Sequence, residues 1–159
     1  MQLTRFTDYS LRVLISVGLS GERGVTIGEI AKQYGISRNH LMKVVQGLAR
    51  AGYLETLRGK GGGLRLALPA ADINLGEVVR EAESLNVVPC FEHGGDKPCA
   101  IAPVCILSRV VREALQAFLA VLDRYTLADL LEPGHTLQRL LLGNLLRRGA
   151  DEATPDPVI

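Results

Sequence analysis

Positions 26–50 decide the fold and read TIGEIAKQYGISRNHLMKVVQGLAR. Thr26 and Glu29 form a capping-box pattern, in which a hydroxyl and a carboxylate satisfy the free N–H groups at a helix start. Gly35 is predicted to end that helix, because glycine tolerates the left-handed conformation of a helix end. Ser37 is a favourable N-cap for a second helix. Two short helices joined by a glycine-containing turn predict a helix-turn-helix.

One helix precedes this motif and a β-hairpin follows it. Residues 4–19 have helical apolar spacing. Residues 53–58 (YLETLR) and 64–69 (LRLALP) flank a glycine-rich turn, which is the pattern of a hairpin. A helix, a helix-turn-helix and a hairpin in this order predict a winged helix. The expected fold class is mostly α with a small β-hairpin.

The remainder is predicted to be helical around one irregular loop. Positions 74–83 favour a short helix, and positions 84–104 form a loop rich in Pro, Gly and Cys. A long amphipathic helix is expected from about 104 to 124. Thr126 opens another short helix, and a leucine-rich helix is expected at 136–148. We expect the final ten residues to be disordered.

The near-neutral total charge conceals two halves of opposite sign. The chain has 18 Lys+Arg and 17 Asp+Glu, for a net charge of +1. Residues 1–68 hold ten basic and four acidic residues, a balance of +6, and residues 69–159 hold eight and thirteen, a balance of −5. A basic module joined to an acidic one is typical of a nucleic-acid-binding part with a separate regulatory part. The small net charge therefore does not exclude DNA as a partner.

Candidate DNA-contacting residues lie at the start of the second helix and on the hairpin. A recognition helix presents its N-terminal residues to base edges in the major groove, where Arg pairs with guanine and Asn with adenine. Basic hairpin residues suit phosphate or minor-groove contact. The alternative for each residue is a solvated surface charge. The predicted set is Ser37, Arg38, Asn39, His40 and Lys43 on the helix, and Arg58, Lys60 and Arg65 on the hairpin.

Other functional classes lack their patterns. Gly61 follows Lys60 where a phosphate-binding loop needs Ser or Thr, and Leu64 stands where a dinucleotide fingerprint needs its last glycine. No acid–base or nucleophile constellation indicates an enzyme. No apolar run reaches the roughly 18 residues of a membrane span, and no secretory signal is recognisable. We therefore expect a cytoplasmic protein with no membrane partner.

The three cysteines, Cys90, Cys99 and Cys105, follow the pattern C-x8-C-x5-C. An odd number excludes a closed disulfide framework. Three buried small side chains are the ordinary alternative, and a zinc site would want closer pairs such as C-x2-C. Wide spacing on an irregular loop favours an iron–sulfur cluster, and a helix start at Cys105 favours its thiolate. The cluster would then need a further ligand of another type.

The long helix has more apolar surface than one small domain requires. Symmetric dimers that read inverted repeats are the usual way for such modules to gain affinity. We therefore assign the helix to homodimerisation. Its apolar positions are Leu107, Val110, Val111, Ala114, Leu115, Phe118, Leu119 and Leu122.

Over positions 1 to about 131 the sequence resembles the winged-helix repressors that carry iron–sulfur clusters. The likeness rests on MQLTRFTDYSLRVL, on YGISRNHLMKVVQGLARAGYLE, on RGKGGGLRLALP, on the three cysteines and on DRYTLADLL. Ser108 stands where the cluster-biogenesis branch of this family has a histidine ligand. The resemblance therefore favours the branch that is sensitive to nitric oxide.

This resemblance implies a homodimeric transcriptional repressor with one cluster per subunit, 4Fe–4S in preference to 2Fe–2S. Nitric oxide would react with the cluster and release a double-stranded DNA operator with an inverted repeat. Asp8 aligns with an acidic position implied as the non-cysteine ligand, contributed by the partner subunit. Glu92, His93 and Asp96 are competitors within the loop. An iron, redox or cluster sensor of the same fold is the alternative, and an electron-transfer protein is a further class.

The sequence is therefore divided into three parts. Residues 1–69 are the winged helix-turn-helix DNA-binding domain, and residues 70–131 hold the cluster-binding loop and the dimerisation helix. Residues 132–159 form a C-terminal helical extension and a disordered tail.

Overall fold

The computed structural model describes residues 2–57, 59, 62–87, 101 and 104–151, with side chains described as far as residue 144 in the last range. The elements have the predicted order and are mostly helical, with one two-stranded hairpin. They are α1 (Arg5–Ser20), α2 (Ile27–Tyr34), α3 (Arg38–Arg50), β1 (Leu54–Thr56), β2 (Leu64–Leu66), α4 (Leu75–Ala82), α5 (Ile106–Leu122), α6 (Leu127–Leu131) and α7 (Gly134–Asp151).

The helix-turn-helix forms with the predicted caps at α2. The hydroxyl of Thr26 accepts from the N–H of Glu29 at 3.2 Å, and the carboxylate of Glu29 accepts from the N–H of Thr26 at 2.7 Å. This backbone hydrogen bond holds the pKa of Glu29 below its usual value. Gly35 ends α2 in the left-handed conformation, with φ 65°. Ser37 occupies the N-cap position of α3, but its side chain makes no capping hydrogen bond.

The hairpin is shorter than predicted, with three residues in each strand. Leu54 pairs with Leu66 and Thr56 with Leu64 in antiparallel register. Val25 adds a bridge to Leu64, so the segment before α2 lies beside the wing. Gly63 permits this approach, because a Cβ there would lie 3.1 Å from the carbonyl oxygen of Val25.

A single hydrophobic core surrounds α1, which packs against α3, α4, α6 and β2. Every element of the winged helix contributes to it, and each fully buried Val or Leu stabilises the fold by about 1.5–3 kcal/mol relative to exposure. Its main members are Val13, Leu14 and Val17 of α1, Ile30 of α2, Leu41, Val44 and Leu48 of α3, Leu54 and Leu64 of the hairpin, Val78 of α4, and Leu127 of α6.

Polar contacts join α4 to the end of α5. These five residues, Asn74, Gly76, Arg80, Asp123 and Tyr125, are called the α4–α5 joint below. The Arg80 guanidinium donates to both carboxylate oxygens of Asp123, at 2.6 and 2.7 Å, and this lowers the pKa of Asp123. The Asn74 amide donates to the carbonyl of Asp123 at 2.8 Å and to that of Tyr125 at 3.4 Å. Gly76 leaves room for the ion pair, because a Cβ there would lie 1.9 Å from Asp123 Oδ1.

The last two long helices differ in extent from the prediction. α5 is 17 residues long, which is two residues shorter at each end than the predicted helix. Cys105 is its N-cap and Asp123 its C-cap. α7 is longer, spans Gly134–Asp151 and packs on α2. The amide of Gln138 donates to the carbonyl of Leu19 at 2.9 Å. The predicted disordered tail began at residue 150, but α7 includes residues 150 and 151, so this part of the prediction is wrong. Residues 152–159 and most of the predicted loop lie outside the described residues.

Within the described part of the chain, no helix has the length and apolar character that crossing a membrane requires.

Gly76→Ala should lower the melting temperature, because the added methyl group would collide with the carboxylate of Asp123 and separate it from Arg80. Gly28→Ala is the matched control in α2. There the nearest atom to the new Cβ is the Thr26 hydroxyl at 3.8 Å, and helical Ala is favoured over Gly by about 0.5–1 kcal/mol. Calorimetry of both variants gives the comparison. Equal melting temperatures would show that the α4–α5 joint adds nothing to stability.

Candidate functional site

The predicted DNA-contacting residues of α3 lie on its exposed side. Leu41, Val44, Val45 and Leu48 point into the core, so the opposite face is left for a ligand. Helical geometry places neighbours on one face at spacings of three and four residues. The exposed predicted residues are Ser37, Arg38, Asn39, His40 and Lys43.

The prediction missed two residues on the same face. Gln46 and Arg50 are exposed and continue the row that Asn39 and Lys43 begin. Gln can pair with adenine as Asn does, and Arg suits guanine or phosphate. The helical spacing of 39, 43, 46 and 50 is the sequence signal that places these residues on one face.

Arg65 is the one predicted basic residue of the hairpin that lies among the described residues. Arg58 and Lys60 lie outside the described residues. Arg65 was expected on the exposed side of the hairpin, but it is half-buried and its guanidinium donates to the carbonyl of Glu22. Strand alternation correctly placed Arg65 on the face opposite Leu64. The Gly21–Arg23 turn covers that face, so contact between Arg65 and DNA stays a prediction.

One of the three predicted cysteine ligands is described. Cys105 is half-buried, occupies the N-cap position of α5, and makes no capping hydrogen bond with its side chain. Because the thiol is not used as a cap, it is available as a metal ligand at the start of the helix. Cys90 and Cys99 lie outside the described residues.

No group of three His, Cys, Asp or Glu side chains gathers at a metal-sized distance among the described residues. Glu92, His93 and Asp96 lie outside them, like two of the cysteines. The donor set nevertheless suits an iron–sulfur cluster, because one thiol at a helix start follows two thiols in the preceding segment. Ser108 lies on the first turn of α5 and adds no nitrogen ligand there.

Asp8 lies in the first turn of α1 and is engaged within its own chain. Its Oδ1 accepts from Nε of Arg12 at 2.9 Å, one helical turn away. The guanidinium of Arg12 lies over the ring of Tyr34, 5.4 Å from the centroid, which is cation–π distance. A ligand role for Asp8 would therefore compete with this ion pair.

α5 has two apolar faces in the structure. The first packs on the chain itself through Val111, Leu115, Phe118, Leu119 and Leu122, which are buried or half-buried. The second is open to solvent, with Ile106 65% exposed and Val110 52% exposed. This exposed face of α5 comprises Ile106, Leu107, Val110, Ala114, Ala117 and Val121.

The sequence matches one protein family over most of its length. Residues 3–133 match the Rrf2 family, which is described as an iron-dependent transcriptional regulator. The HTH-type transcriptional regulator NsrR of Bacillus subtilis (strain 168) is 51% identical over 144 residues, which cover 89% of this chain and 97% of that protein.

The fold is also similar to solved structures. T. potens IscR has a TM-score of 0.66 at 24% identity, over 87% of this chain and 91% of that chain. The oxidized form of Staphylococcus aureus CymR has a TM-score of 0.64 at 27% identity, over 83% and 97%. The likeness to IscR concerns the fold alone, and it confirms the winged-helix prediction.

Proposed function

The chain belongs to the Rrf2 family of transcriptional regulators, and we propose that it is a homodimeric repressor that senses nitric oxide through an iron–sulfur cluster. Reaction with nitric oxide releases its DNA operator, an inverted repeat. The family and the 51% identical relative are regulators, which confirms the resemblance and the expectation that the chain is not an enzyme. The proposed location is the cytoplasm, where thiols stay reduced.

The observation that carries the nitric oxide proposal is the 51% identity to NsrR along nearly the whole of that protein. Cys105 at the start of α5 supports it, because its thiol makes no capping hydrogen bond and is available as a ligand. Ser108 supports it as well, since this branch of the family lacks the histidine ligand of its relatives. The preferred cluster is 4Fe–4S, with 2Fe–2S as the alternative, and both come from the resemblance.

Cys90, Cys99 and Cys105 would hold the cluster, with Asp8 of the partner subunit as the further ligand. When bound, an iron–sulfur cluster supplies iron atoms that react with nitric oxide. Cys105 ties this site to α5, and the α4–α5 joint ties the other end of α5 to α4.

Two further helix–helix contacts connect the α4–α5 joint to the recognition helix α3. α4 packs on α1, and α1 packs on α3. Each step is a contact between rigid helices, so a shift at Cys105 changes where the two recognition helices of a dimer lie. Moving operator occupancy from nearly full to nearly empty needs a bias of about 5.5 kcal/mol.

The exposed face of α5 supports homodimerisation. Contiguous exposed apolar side chains on a helix mark a surface that another chain covers. Leu119 is the one fully buried residue of α5, so the chain itself leaves most of this helix at least partly exposed. A second copy would bury the face symmetrically and pair two copies of α3 for the two halves of an inverted repeat.

A second candidate is a regulator of the same fold that responds to iron, oxygen or cluster supply. The description of the family as iron-dependent favours it. The same DNA-binding surface and cysteines would serve it, and only the signal would differ.

Nitric oxide should lower DNA affinity on the order of 10⁴-fold, the change that a bias of about 5.5 kcal/mol corresponds to. The test uses full-length protein purified anaerobically and a duplex from upstream of its own gene. Cluster absorption and gel shifts are followed during titration with nitric oxide, with oxygen and with an iron chelator. Cys105→Ser should lose both the cluster and the response. Release by chelator or oxygen with no effect of nitric oxide would establish the second candidate instead.

Asp8→Ala should change the absorption spectrum of the cluster and weaken its response to nitric oxide. Arg12→Gln is the matched control, because it also removes the Asp8–Arg12 ion pair but keeps the carboxylate. Spectra of the two anaerobic holoproteins give the comparison. An unchanged spectrum in Asp8→Ala, or the same change in both variants, would leave Asp8 as an ion-pair partner only.

Val110→Glu should convert the dimer to a monomer at micromolar concentration, because it places a charge in the exposed face of α5. Gln116→Glu is the control, since it adds the same charge on a polar, exposed flank of α5. Sedimentation equilibrium measures both masses. A wild-type monomer, or a Val110→Glu dimer, would contradict dimerisation through this face.

A further inference from the structure

A small groove separates the start of α1 from the recognition helix α3. It has a volume of about 140 Å³ and is called the α1–α3 groove below. Val44 is buried and Tyr9 half-buried, so the groove has an apolar floor, whereas the side chains of its rim are exposed. Its lining residues are Arg5, Phe6, Tyr9, His40, Lys43 and Val44.

Close packing holds this groove at the edge of the exposed side of α3. The ring of Phe6 lies directly over Gly47, where an added Cβ would be 2.9 Å from Cζ. The rings of Tyr9 and His40 have centroids 6.5 Å apart. Lys43 belongs both to the groove and to the exposed row of α3. The start of α1 therefore cannot move away from α3 without losing these contacts.

The charge of the groove suits an anion. Arg5 and Lys43 supply two cationic groups, and no Asp or Glu is among the described residues that line it. The nearest carboxylate along α1 is that of Asp8, which Arg12 neutralises. The volume is well below the roughly 300–1,000 Å³ of a typical small-molecule pocket, which argues against a metabolite.

We propose that the α1–α3 groove binds one deoxyribose–phosphate unit of the operator backbone. Arg5 and Lys43 contact the phosphate oxygens, and the rings of Phe6 and Tyr9 contact the sugar. When α3 lies in the major groove, the backbone that borders that groove passes along the flanks of the helix, where Arg5 is placed. This site presupposes the proposed DNA-binding mode and adds α1 to the DNA-contacting surface.

Contacts to phosphate position a protein on DNA but carry no base information. Arg5→Gln should therefore weaken binding to all sequences alike, by about 5- to 30-fold. The slope of log affinity against log salt should fall by about 1 for each lost contact, and so by about 2 in a symmetric dimer. Arg5→Lys should restore most of the salt slope, because it keeps the charge.

The test uses anaerobic full-length holoprotein, a duplex from upstream of its own gene and a random-sequence duplex of equal length. Arg124→Gln is the control, since it removes the same charge from an exposed position beyond the end of α5. Hydroxyl-radical footprints should show that Arg5→Gln loses backbone protection at the flanks of each half-site, while Arg124→Gln keeps it.

Two failures are distinguishable. If wild-type protein binds the upstream duplex but Arg5→Gln has the affinity, salt slope and footprint of Arg124→Gln, the groove does not contact DNA and only this inference is overturned. If Arg5→Gln has the expected effect but nitric oxide leaves wild-type binding unchanged, the inference stands and the proposed signal is overturned.

Discussion

The burial of α1 is the constraint on which the other elements depend. Val13, Leu14 and Val17 are at most 1% exposed, and they lie between the recognition helix, the wing, α4 and α6. Losing one such Leu typically costs about 2–5 kcal/mol, because the packed neighbours cannot fill the cavity. α1 therefore sets the orientation of α3 relative to everything that follows it. The same packing brings Arg5 to the flank of α3.

Local signals explain why the helix-turn-helix was predictable. Thr26, Glu29 and Gly35 act through hydrogen bonds within one helical turn. The two ends of α2 can therefore be predicted without knowledge of the tertiary structure. Arg65 shows the limit of such reasoning. Strand alternation assigns its face, but the turn that covers this face comes from a segment about 43 positions earlier in the chain. The role of Arg5 is likewise hidden in the sequence, because it depends on how closely Phe6 approaches Gly47.

Periodicity recognised α5 as amphipathic but merged its two apolar faces into one. Val111 and Leu115 are half-buried against the chain itself, whereas their sequence neighbours Val110 and Ala114 are exposed. Only the packing of α4 against one side separates them. The distinction matters for the proposed dimer, because the exposed face alone is available to a second copy. One helix can then serve its own domain and the partner at once.

α5 thereby connects three tasks that the proposed function requires. Its first residue follows Cys105, its middle carries the exposed face, and its end enters the α4–α5 joint. A helix is stiff along its axis, so a displacement at the Cys105 end reaches the joint without being absorbed by a loop. Gly76 strengthens this connection, because the missing side chain lets Asp123 approach Arg80 closely. In the proposed mechanism, the joint is therefore the step that passes a displacement of α5 to the DNA-binding domain.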